Sequence, residues 1–229
     1  MMVSVIIPSA GSGKRFGELK QFKLLDGKPL LFITIKPFLE IKEVAEVIIV
    51  VPKDKISFVE KYKKELHNGK KIRVTQGGLE RHASIRNGLK IINEKTGLIC
   101  IHDAARPFIS KKSILDCFKK CEEYDGAILG VKSSDTVKYS RDIIIEKTID
   151  REKIWLAQTP QVFQKSKLIK AIKEASKDKV KVTDESILME RMGYSICLIE
   201  GQTSNFKVTY NRDWELAKFL MRDSLNSDK

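Results

Sequence analysis

The sequence has few of the residues that build disulfide frameworks, histidine metal sites and base-stacking surfaces. It contains four cysteines, three histidines and 7% aromatic residues among 229. Four scattered cysteines are too few to staple a small secreted fold, so we expect buried structural thiols. The low histidine count argues against a histidine-based metal centre. The low aromatic content argues against a protein that stacks nucleic-acid bases on its surface.

Long apolar runs are also missing. No stretch approaches the roughly 20 apolar residues of a membrane span. The first strand-like segment, residues 3–7, begins too early to leave room for a signal peptide. We therefore expect no cleaved leader and no membrane partner, with the cytoplasm as the default location. The length suits one α/β domain spanning 1–229.

Positive charge is in excess, with a net charge of +13. Such an excess suits either nucleic acid or a polyanionic small substrate. Many lysines stand beside glutamates in helix-like segments, which is typical of solvated helix faces. The charge alone leaves both classes of partner open.

Short apolar runs alternate with helical patterns up to residue 131. The runs are rich in β-branched residues and bounded by Pro, Gly or Asp, which is typical of buried strands. They cover residues 3–7, 47–51, 98–101 and 127–131, and the helical patterns cover 29–40, 54–65, 81–93 and 112–123. Pro37 is expected to kink or shorten the first helix. The order predicts an α/β fold with a three-layer, mostly parallel, doubly wound (Rossmann-like) sheet.

The pattern changes after residue 131. Two β-like runs, 135–139 and 143–148, are joined by a polar turn and predict a protruding hairpin arm within 135–158. A hairpin of this size is too small to fold alone, so it should pack on the sheet or contact a partner subunit. The remaining patterns predict helices at 165–176, 184–192 and 211–223 and a strand at 195–199.

A glycine-rich segment follows the first strand. Gly11 and Gly13 would let backbone amides approach phosphate oxygens, and three cations lie in the same segment, namely Lys14, Arg15 and Lys20. Such a loop after a first parallel strand favours an anion site. The alternative is an ordinary glycine-rich turn with surface lysines.

Two familiar phosphate motifs do not fit this segment. A Walker A loop needs glycine where Pro8 stands, and serine or threonine where Arg15 stands. A dinucleotide-binding fingerprint fits poorly because Gly17 follows Gly13 after a long gap.

The segment resembles the signature of the nucleotidyltransferases, and further motifs of one branch follow in order. They are QGGLERHASIRNGL (76–89), HDAARPF (102–108), DTVK (135–138), Arg151 with Trp155, QTPQ (158–161), TDE (183–185) and NFKVT (205–209). Together they extend from about residue 3 to 217. The chain therefore resembles the 2-C-methyl-D-erythritol 4-phosphate cytidylyltransferase family of non-mevalonate isoprenoid synthesis.

The resemblance implies an in-line attack by a substrate phosphate oxygen on the α-phosphorus of CTP. It implies that Arg15 and Lys20 clamp the triphosphate and stabilise the transition state, with Lys207 as a third catalytic cation. The residues that match CTP-binding positions are Ala10, Gly11, Gly13, Lys14, Gly78, Ser84 and Asp103.

The cofactor that the resemblance implies is one Mg²⁺ ion, with Asp103 as its protein ligand. The alternative for Asp103 is an N-cap or turn residue. A second acidic ligand is not evident, because Ser204 and Asn205 stand where related enzymes carry it. His102 should be a packing or hydrogen-bonding residue.

The second substrate is implied to be a sugar-alcohol phosphate. Arg106 and Thr159 match positions near the reacting phosphates or the sugar phosphate. Arg151 and Thr183 match positions that hold the methylerythritol phosphate from the neighbouring subunit, which makes the 135–158 arm a dimerisation element of a homodimer. The alternatives are a surface charge for Arg151 and a helix N-cap for Thr183.

Three other functions are alternatives to this one. A ribitol 5-phosphate cytidylyltransferase would carry much the same motifs, although Ala104-Ala105 and Ala83-Ser84 favour methylerythritol phosphate. A basic nucleic-acid-binding protein would need exposed aromatics among clustered basic residues. A nucleotide-binding regulator without catalysis would not need Arg15, Lys20 and Asp103 together.

Overall fold

Eleven strands occur in the part of the chain that the computed structural model describes, which is residues 1–66, 69, 71–175 and 182–227. They are β1 (Val3–Pro8), β2 (Leu24–Leu25), β3 (Lys28–Pro29), β4 (Val44–Val51), β5 (Lys71–Gln76), β6 (Leu98–Ile101), β7 (Gly126–Lys132), β8 (Val137–Arg141), β9 (Ile144–Ile149), β10 (Trp155–Gln164) and β11 (Ile196–Glu200). Seven of them form the central sheet, in the order β11-β7-β10-β6-β1-β4-β5.

The central sheet is parallel except at β10. Strand β1 pairs in parallel with β4 and β6, β4 with β5, and β7 with β11, whereas β10 is antiparallel to both β6 and β7. The predicted mostly parallel α/β sheet is thus confirmed. Strands β5 and β10 and the short strands β2 and β3 were not predicted.

Seven helices accompany the sheet in the described residues. They are α1 (Leu30–Leu39), α2 (Ile56–Tyr62), α3 (Arg81–Leu89), α4 (Lys111–Lys120), α5 (Lys165–Ala175), α6 (Ser186–Arg191) and α7 (Asn211–Ser227). The predicted helix at 54–65 is shorter, with 3₁₀ turns on either side of α2. Pro37 lies inside α1 and does not end it, since the helix continues to Leu39. The predicted helix at 165–176 ends at Ala175, and residue 176 lies outside the described residues.

Helices cover both faces of the sheet, which gives the predicted three layers. On one face, α1, α2 and α4 pack on the alternate side chains of β1 and β4 that include Val5 and Val47. On the other face, α3, α5 and α6 pack on the side chains between them, including Ile6 and Ile48. Because these strands are covered on both sides, their sequences are mostly apolar, and the polar exceptions Ser4 and Glu46 are buried and hydrogen-bonded to each other.

The strand order places a crevice at the carboxyl ends of β1 and β6. From β1 the chain proceeds outward to β4 and β5, and then returns to pair β6 against the opposite edge of β1. Ligands of open α/β sheets bind outside the carboxyl ends of the strands at such a switch point. The glycine-rich loop leaves β1 there, and Asp103 follows β6 there.

Strands β8 and β9 form the predicted hairpin as a separate two-stranded ladder. Nearly all of its residues are exposed, including Ile143, Ile144 and Ile145 near the turn. The predicted arm boundary at residue 158 is too late, because the chain rejoins the central sheet at Trp155 in β10. Among the described helices, none is long and apolar enough to cross a membrane.

Candidate active site

A cavity of about 340 Å³ lies in this crevice. Its wall comes from three segments: the glycine-rich loop after β1, the loop that begins α3, and the residues after β6, with Lys207 closing one side. Ten predicted site residues line it, namely Ala10, Gly11, Gly13, Lys14, Arg15, Lys20, Gly78, Ser84, Asp103 and Lys207.

The glycine-rich loop turns sharply at Gly13. The carbonyl of Gly13 accepts from the amides of Phe16 and Gly17 at 2.8 and 3.0 Å. Gly13 has φ +68°, and a Cβ atom there would collide with the carbonyl oxygen of Glu18. Only glycine therefore fits this turn without displacing the backbone.

Two side chains fix the loop to the body of the protein. Gln21 is buried, and its amide donates to the carbonyls of Ser9 (2.8 Å) and Gly11 (3.1 Å). The ring of Phe16 packs edge-on against Trp214 of α7 at 5.8 Å between centroids. The backbone of the loop is thus held from inside, while Lys14 and Arg15 remain exposed.

The second wall approaches the first very closely. Gly77 donates to the carbonyl of Val51 at 2.8 Å, and a Cβ atom on Gly77 would collide with the side chain of Ala10. The Gly78 amide donates to Oγ of Ser84 at 3.1 Å, which fixes the loop against the first turn of α3. The crevice between the loops is therefore shaped by the close contacts of these two glycines with Ala10 and Ser84.

Asp103 forms the electrostatic centre of the cavity. Its side chain is 11% exposed; Oδ1 accepts from Nε of Arg81 at 3.1 Å and Oδ2 accepts from Nζ of Lys207 at 2.6 Å. Nε of Arg106 lies 4.0 Å from Oδ2. Burial alone would raise the pKa of Asp103, but these three cations hold it well below its usual range. The carboxylate is therefore ionised at neutral pH.

Lys20 lies in a strongly positive part of the cavity. Burial lowers the pKa of Lys20, and the nearby cations Lys207 and Arg15 lower it further. The carboxylates of Asp103 and Asp213 offset this in part. Such a cluster of cations attracts a polyanion, whose negative charge would in turn raise the pKa of Lys20.

A buried hydrogen-bond layer supports Asp103 from behind. The Asp103 amide donates to Oγ1 of Thr159 at 3.0 Å, and His102 contacts the same hydroxyl and the carbonyl of Arg106. NH1 of Arg106 donates to the carbonyl of Asn205 at 2.8 Å. Burial lowers the pKa of His102 to about 4, so it is neutral here. His102 is thus the packing and hydrogen-bonding residue that was predicted.

Four predicted substrate residues lie outside the lining of this cavity. Arg106 and Thr159 belong to the buried layer just described. Arg151 is exposed where the hairpin rejoins the sheet, and it donates to the carbonyl of Ser134 at 3.0 Å. Thr183 is exposed before α6. Within one protomer the structure therefore does not bring Arg151 and Thr183 into the cavity.

Arg81 and Glu185 were not assigned roles from the sequence. Arg81 lines the cavity and joins Asp103 to Glu185, to which its NH1 donates at 2.6 Å. Both residues lie inside matched motifs, but 104 positions separate them. Nothing in the local pattern indicates that they meet.

The carboxylates that line the cavity are those of Asp103 and Glu80. In the described ranges, no three His, Cys, Asp or Glu side chains are grouped to hold a metal ion. Mg²⁺ often binds through one or two carboxylates together with waters and substrate phosphates, so a single Asp103 suffices. Both of its oxygens already have cationic partners, so an ion there would share or displace one of them.

Comparison with known proteins gives consistent matches over nearly the whole chain. The family model described as 2-C-methyl-D-erythritol 4-phosphate cytidylyltransferase matches residues 3–223. A protein of that description from Caldanaerobacter subterraneus subsp. tengcongensis is 34% identical over 97% of this chain and all of its own length. One from Clostridium acetobutylicum is 38% identical over 96% of this chain and 98% of its own.

Solved structures agree with these sequence matches. The crystal structure of 4-diphosphocytidyl-2C-methyl-D-erythritol synthase from Anaerococcus prevotii superposes with a TM-score of 0.87 at 29% identity. The match covers 96% of this chain and 98% of that one. The sheet order and the layers described above are therefore those of a known fold.

Proposed function

The chain belongs to the 2-C-methyl-D-erythritol 4-phosphate cytidylyltransferase family, and from this premise we propose how its cavity performs the reaction. The reaction transfers CMP from CTP to 2-C-methyl-D-erythritol 4-phosphate and releases pyrophosphate. The products are 4-diphosphocytidyl-2-C-methyl-D-erythritol and pyrophosphate. The observation that carries the proposal is the cluster of Arg15, Lys20 and Lys207 in one cavity with Asp103.

The two substrates are polyanions that repel each other, so the protein must neutralise and align them. We assign the triphosphate to the glycine-rich loop, with Gly11, Gly13 and Lys14 as its binding residues. Arg15, Lys20 and Lys207 would stabilise the charge that develops around the α-phosphorus. The cytosine and ribose would lie between Ala10, Gly78 and Ser84, where the two loops meet.

Asp103 is the proposed protein ligand of Mg²⁺. The low pKa of Asp103 keeps its oxygens available to a cation at any physiological pH. When bound, Mg²⁺ would neutralise phosphate charge. Lys207 is the partner most easily released from Asp103, because its side chain is 36% exposed whereas that of Arg81 is 28% exposed and also bound to Glu185.

The sugar-phosphate site is proposed to need two copies of the chain. Arg151 and Thr183 are exposed and lie outside the cavity of their own protomer, which supports roles in a neighbour's site. The exposed hairpin would be the dimerisation arm of a homodimer in which 1–229 acts as one domain. Arg106 and Thr159 would act on the sugar phosphate indirectly, through the buried hydrogen-bond layer that supports Asp103. All four cysteines are free, three of them buried, which supports a reducing location such as the cytoplasm.

The test is pyrophosphate release from CTP and Mg²⁺ with either 2-C-methyl-D-erythritol 4-phosphate or ribitol 5-phosphate as acceptor. We expect turnover with the first to be at least about tenfold faster. Arg15→Gln should lower kcat about 100-fold or more, as the loss of a transition-state donor does. Lys95→Gln, an exposed lysine outside the cavity, is the matched control. Faster turnover with ribitol 5-phosphate would refute the acceptor, and no turnover with either would refute the function.

A further inference from the structure

Glu185 is a buried carboxylate that does not cap the helix it precedes. It occupies the N-cap position of α6, but its side chain makes no capping hydrogen bond. Its side chain is 1% exposed, and Oε2 accepts from NH1 of Arg81 at 2.6 Å. Its backbone amide donates to Oε1 of Gln161 at 3.3 Å, which fixes the residue against β10. The carboxylate is therefore directed at Arg81 by the surrounding structure.

Arg81 is held between two carboxylates. Its Nε donates to Oδ1 of Asp103 at 3.1 Å while its NH1 donates to Glu185. Arg81 is the first residue of α3 and also lines the cavity, so its guanidinium is within the region that we assign to the nucleotide. Without a second anchor, a cation at this position would be drawn to the phosphates.

Stability does not account for Glu185. Among the atoms of the described residues, its Oε1 is buried with no hydrogen-bond partner. A buried carboxylate with an unsatisfied oxygen costs free energy, and buried ion pairs are often no more stabilising than apolar replacements. A residue that costs stability and lies behind an active-site arginine is best explained by its effect on that arginine.

We propose that Glu185 is a positioning residue, which holds the Arg81 guanidinium against Asp103 and away from the triphosphate. This inference rests on the proposed function of the cavity. With Arg81 fixed, Oδ1 of Asp103 is occupied and Oδ2 faces Lys207, so the carboxylate has one orientation. Through Arg81, Glu185 thereby keeps Oδ1 of Asp103 occupied. Only Oδ2 can then exchange its partner, Lys207, when the nucleotide binds.

The effect on binding should differ from the effect on turnover. If Glu185 loses its charge, Arg81 keeps only its contact with Asp103, and its guanidinium is free to turn towards CTP, so ground-state binding should not weaken. Asp103 simultaneously loses its fixed orientation beside Lys207, which slows the chemical step. Enzymes lose about 10- to 100-fold in rate when such supporting contacts are removed or reacting groups shift by about 1 Å.

The experiment compares Glu185→Gln with the wild-type protein and with Glu190→Gln, an exposed glutamate on the same helix. We measure kcat, Tm, and the Kd of CTP by calorimetry without acceptor. For Glu185→Gln we expect kcat to fall about 10- to 100-fold, with the Kd of CTP no higher and Tm no lower than in the wild type. Glu190→Gln should match the wild type in all three.

A double variant tests whether Glu185 acts through Arg81. If it does, Arg81→Gln combined with Glu185→Gln should have the same kcat as Arg81→Gln alone, because the second change has nothing left to position. Losses that multiply would overturn the proposal. So would a kcat for Glu185→Gln within twofold of the wild type, or a loss of kcat accompanied by matching losses of Tm and CTP affinity.

Failure of this inference is distinguishable from failure of the proposed function. An inactive wild-type protein refutes the function, whatever the variants do. An active wild-type protein with an unaffected Glu185→Gln variant refutes only the role of Glu185. The CTP affinities provide a readout that does not depend on turnover.

Discussion

Nζ of Lys207 lies 2.6 Å from Oδ2 of Asp103, although 104 residues separate them in sequence. The side chain of Lys207 is 36% exposed and that of Asp103 is 11% exposed, so the lysine is the more accessible partner of the pair. This contact closes one side of the cavity, and the arrival of a polyanion offers Lys207 a second set of acceptors. Asp103 thus holds the ammonium group of Lys207 at the wall of the cavity before a polyanion binds.

Replacing Lys207 by methionine removes its positive charge but keeps an unbranched side chain of similar length. We expect kcat to fall about 100- to 1,000-fold, the loss seen when a donor to developing negative charge is removed. With one of its three cations removed, Asp103 should also repel CTP more strongly and weaken its binding. Lys218→Met, on α7, is the control because that lysine pairs with Glu215 away from the cavity. Pyrophosphate release within threefold of the wild type would exclude Lys207 from the chemistry.

The pH dependence of kcat/KM for CTP should show the ionisation of Lys20. Because the folded protein lowers the pKa of Lys20, its charge is lost at a lower pH than that of an ordinary lysine as the pH rises. The alkaline decrease in kcat/KM for CTP should therefore begin below pH 10.5, the ordinary lysine value. Lys20→Arg should move this decrease to higher pH, since arginine stays protonated. An unchanged alkaline limb would mean that another group controls it.

Gly13 and Gly27 make a matched pair of glycine tests. Both have positive φ, +68° and +73°, but only at Gly13 would a Cβ atom collide with backbone, at Glu18. Gly27→Ala should cost about 1 to 2 kcal/mol of stability from strain and leave CTP affinity intact. Gly13→Ala should in addition raise the Kd of CTP at least about tenfold, because the phosphate loop must move. Calorimetry and thermal unfolding would distinguish the two, and equal CTP affinities would contradict the role of the turn.

The glycine-rich loop and the residues after β6 could be predicted from sequence because each follows a buried strand. Largely apolar runs such as 3–7 and 98–101 define those strands, and parallel strands bring their carboxyl ends together. Strand β5 was missed because charged or polar side chains alternate with apolar ones from Lys71 onwards. It therefore contains no continuous apolar run of the kind that predicts a buried strand. Strand β10 was missed because polar residues and a proline, 158–161, interrupt it.

The parts of the site that sequence did not predict depend on long-range packing. Arg106 and Thr159 lie in motifs that resemble substrate-binding positions, yet they form the buried layer under Asp103. Their motif positions alone cannot distinguish contact with a ligand from contact with a ligand-binding residue. The Arg81–Glu185 pair depends on where β10 and α6 place residue 185, and that placement follows from the whole sheet order.

Unfolding at acid pH should distinguish the contributions of Asp103 and Glu185, the two carboxylates that Arg81 joins, to the stability of the fold. The pKa of Asp103 is lowered in the folded state, so its charge stabilises the fold above about pH 4, and that contribution is lost as the pH falls further. Burial raises the pKa of Glu185 more than Arg81 lowers it, so its contribution falls as pH rises above the ordinary value of 4.5.

Urea unfolding from pH 3 to pH 7 would measure both effects. Asp103→Asn should flatten the decrease in the free energy of unfolding below about pH 4, whereas Glu185→Gln should raise that free energy relative to the wild type as the pH approaches 7. Parallel profiles for the two variants and the wild type would contradict this assignment of charges.

The hairpin should control both assembly and activity. Ile143, Ile144 and Ile145 are 92%, 67% and 60% exposed, an apolar cluster that a soluble monomer would not be expected to present. Because a charge buried in an apolar interface is costly, Ile144→Asp should convert the proposed homodimer into monomers in sedimentation experiments. Leu115→Asp, at a 40% exposed leucine of α4, should leave the assembly unchanged.

The activity of the Ile144→Asp monomer distinguishes an arm that completes a neighbour's site from one that only joins the subunits. Arg151 and Thr183 lie outside the cavity of their own chain, so a monomer should bind CTP normally while its KM for the sugar phosphate rises at least about tenfold. Mixing inactive Arg15→Gln subunits with inactive Arg151→Gln subunits should restore activity, since one mixed dimer contains a complete site. A fully active monomer, or no recovery on mixing, would exclude shared sites.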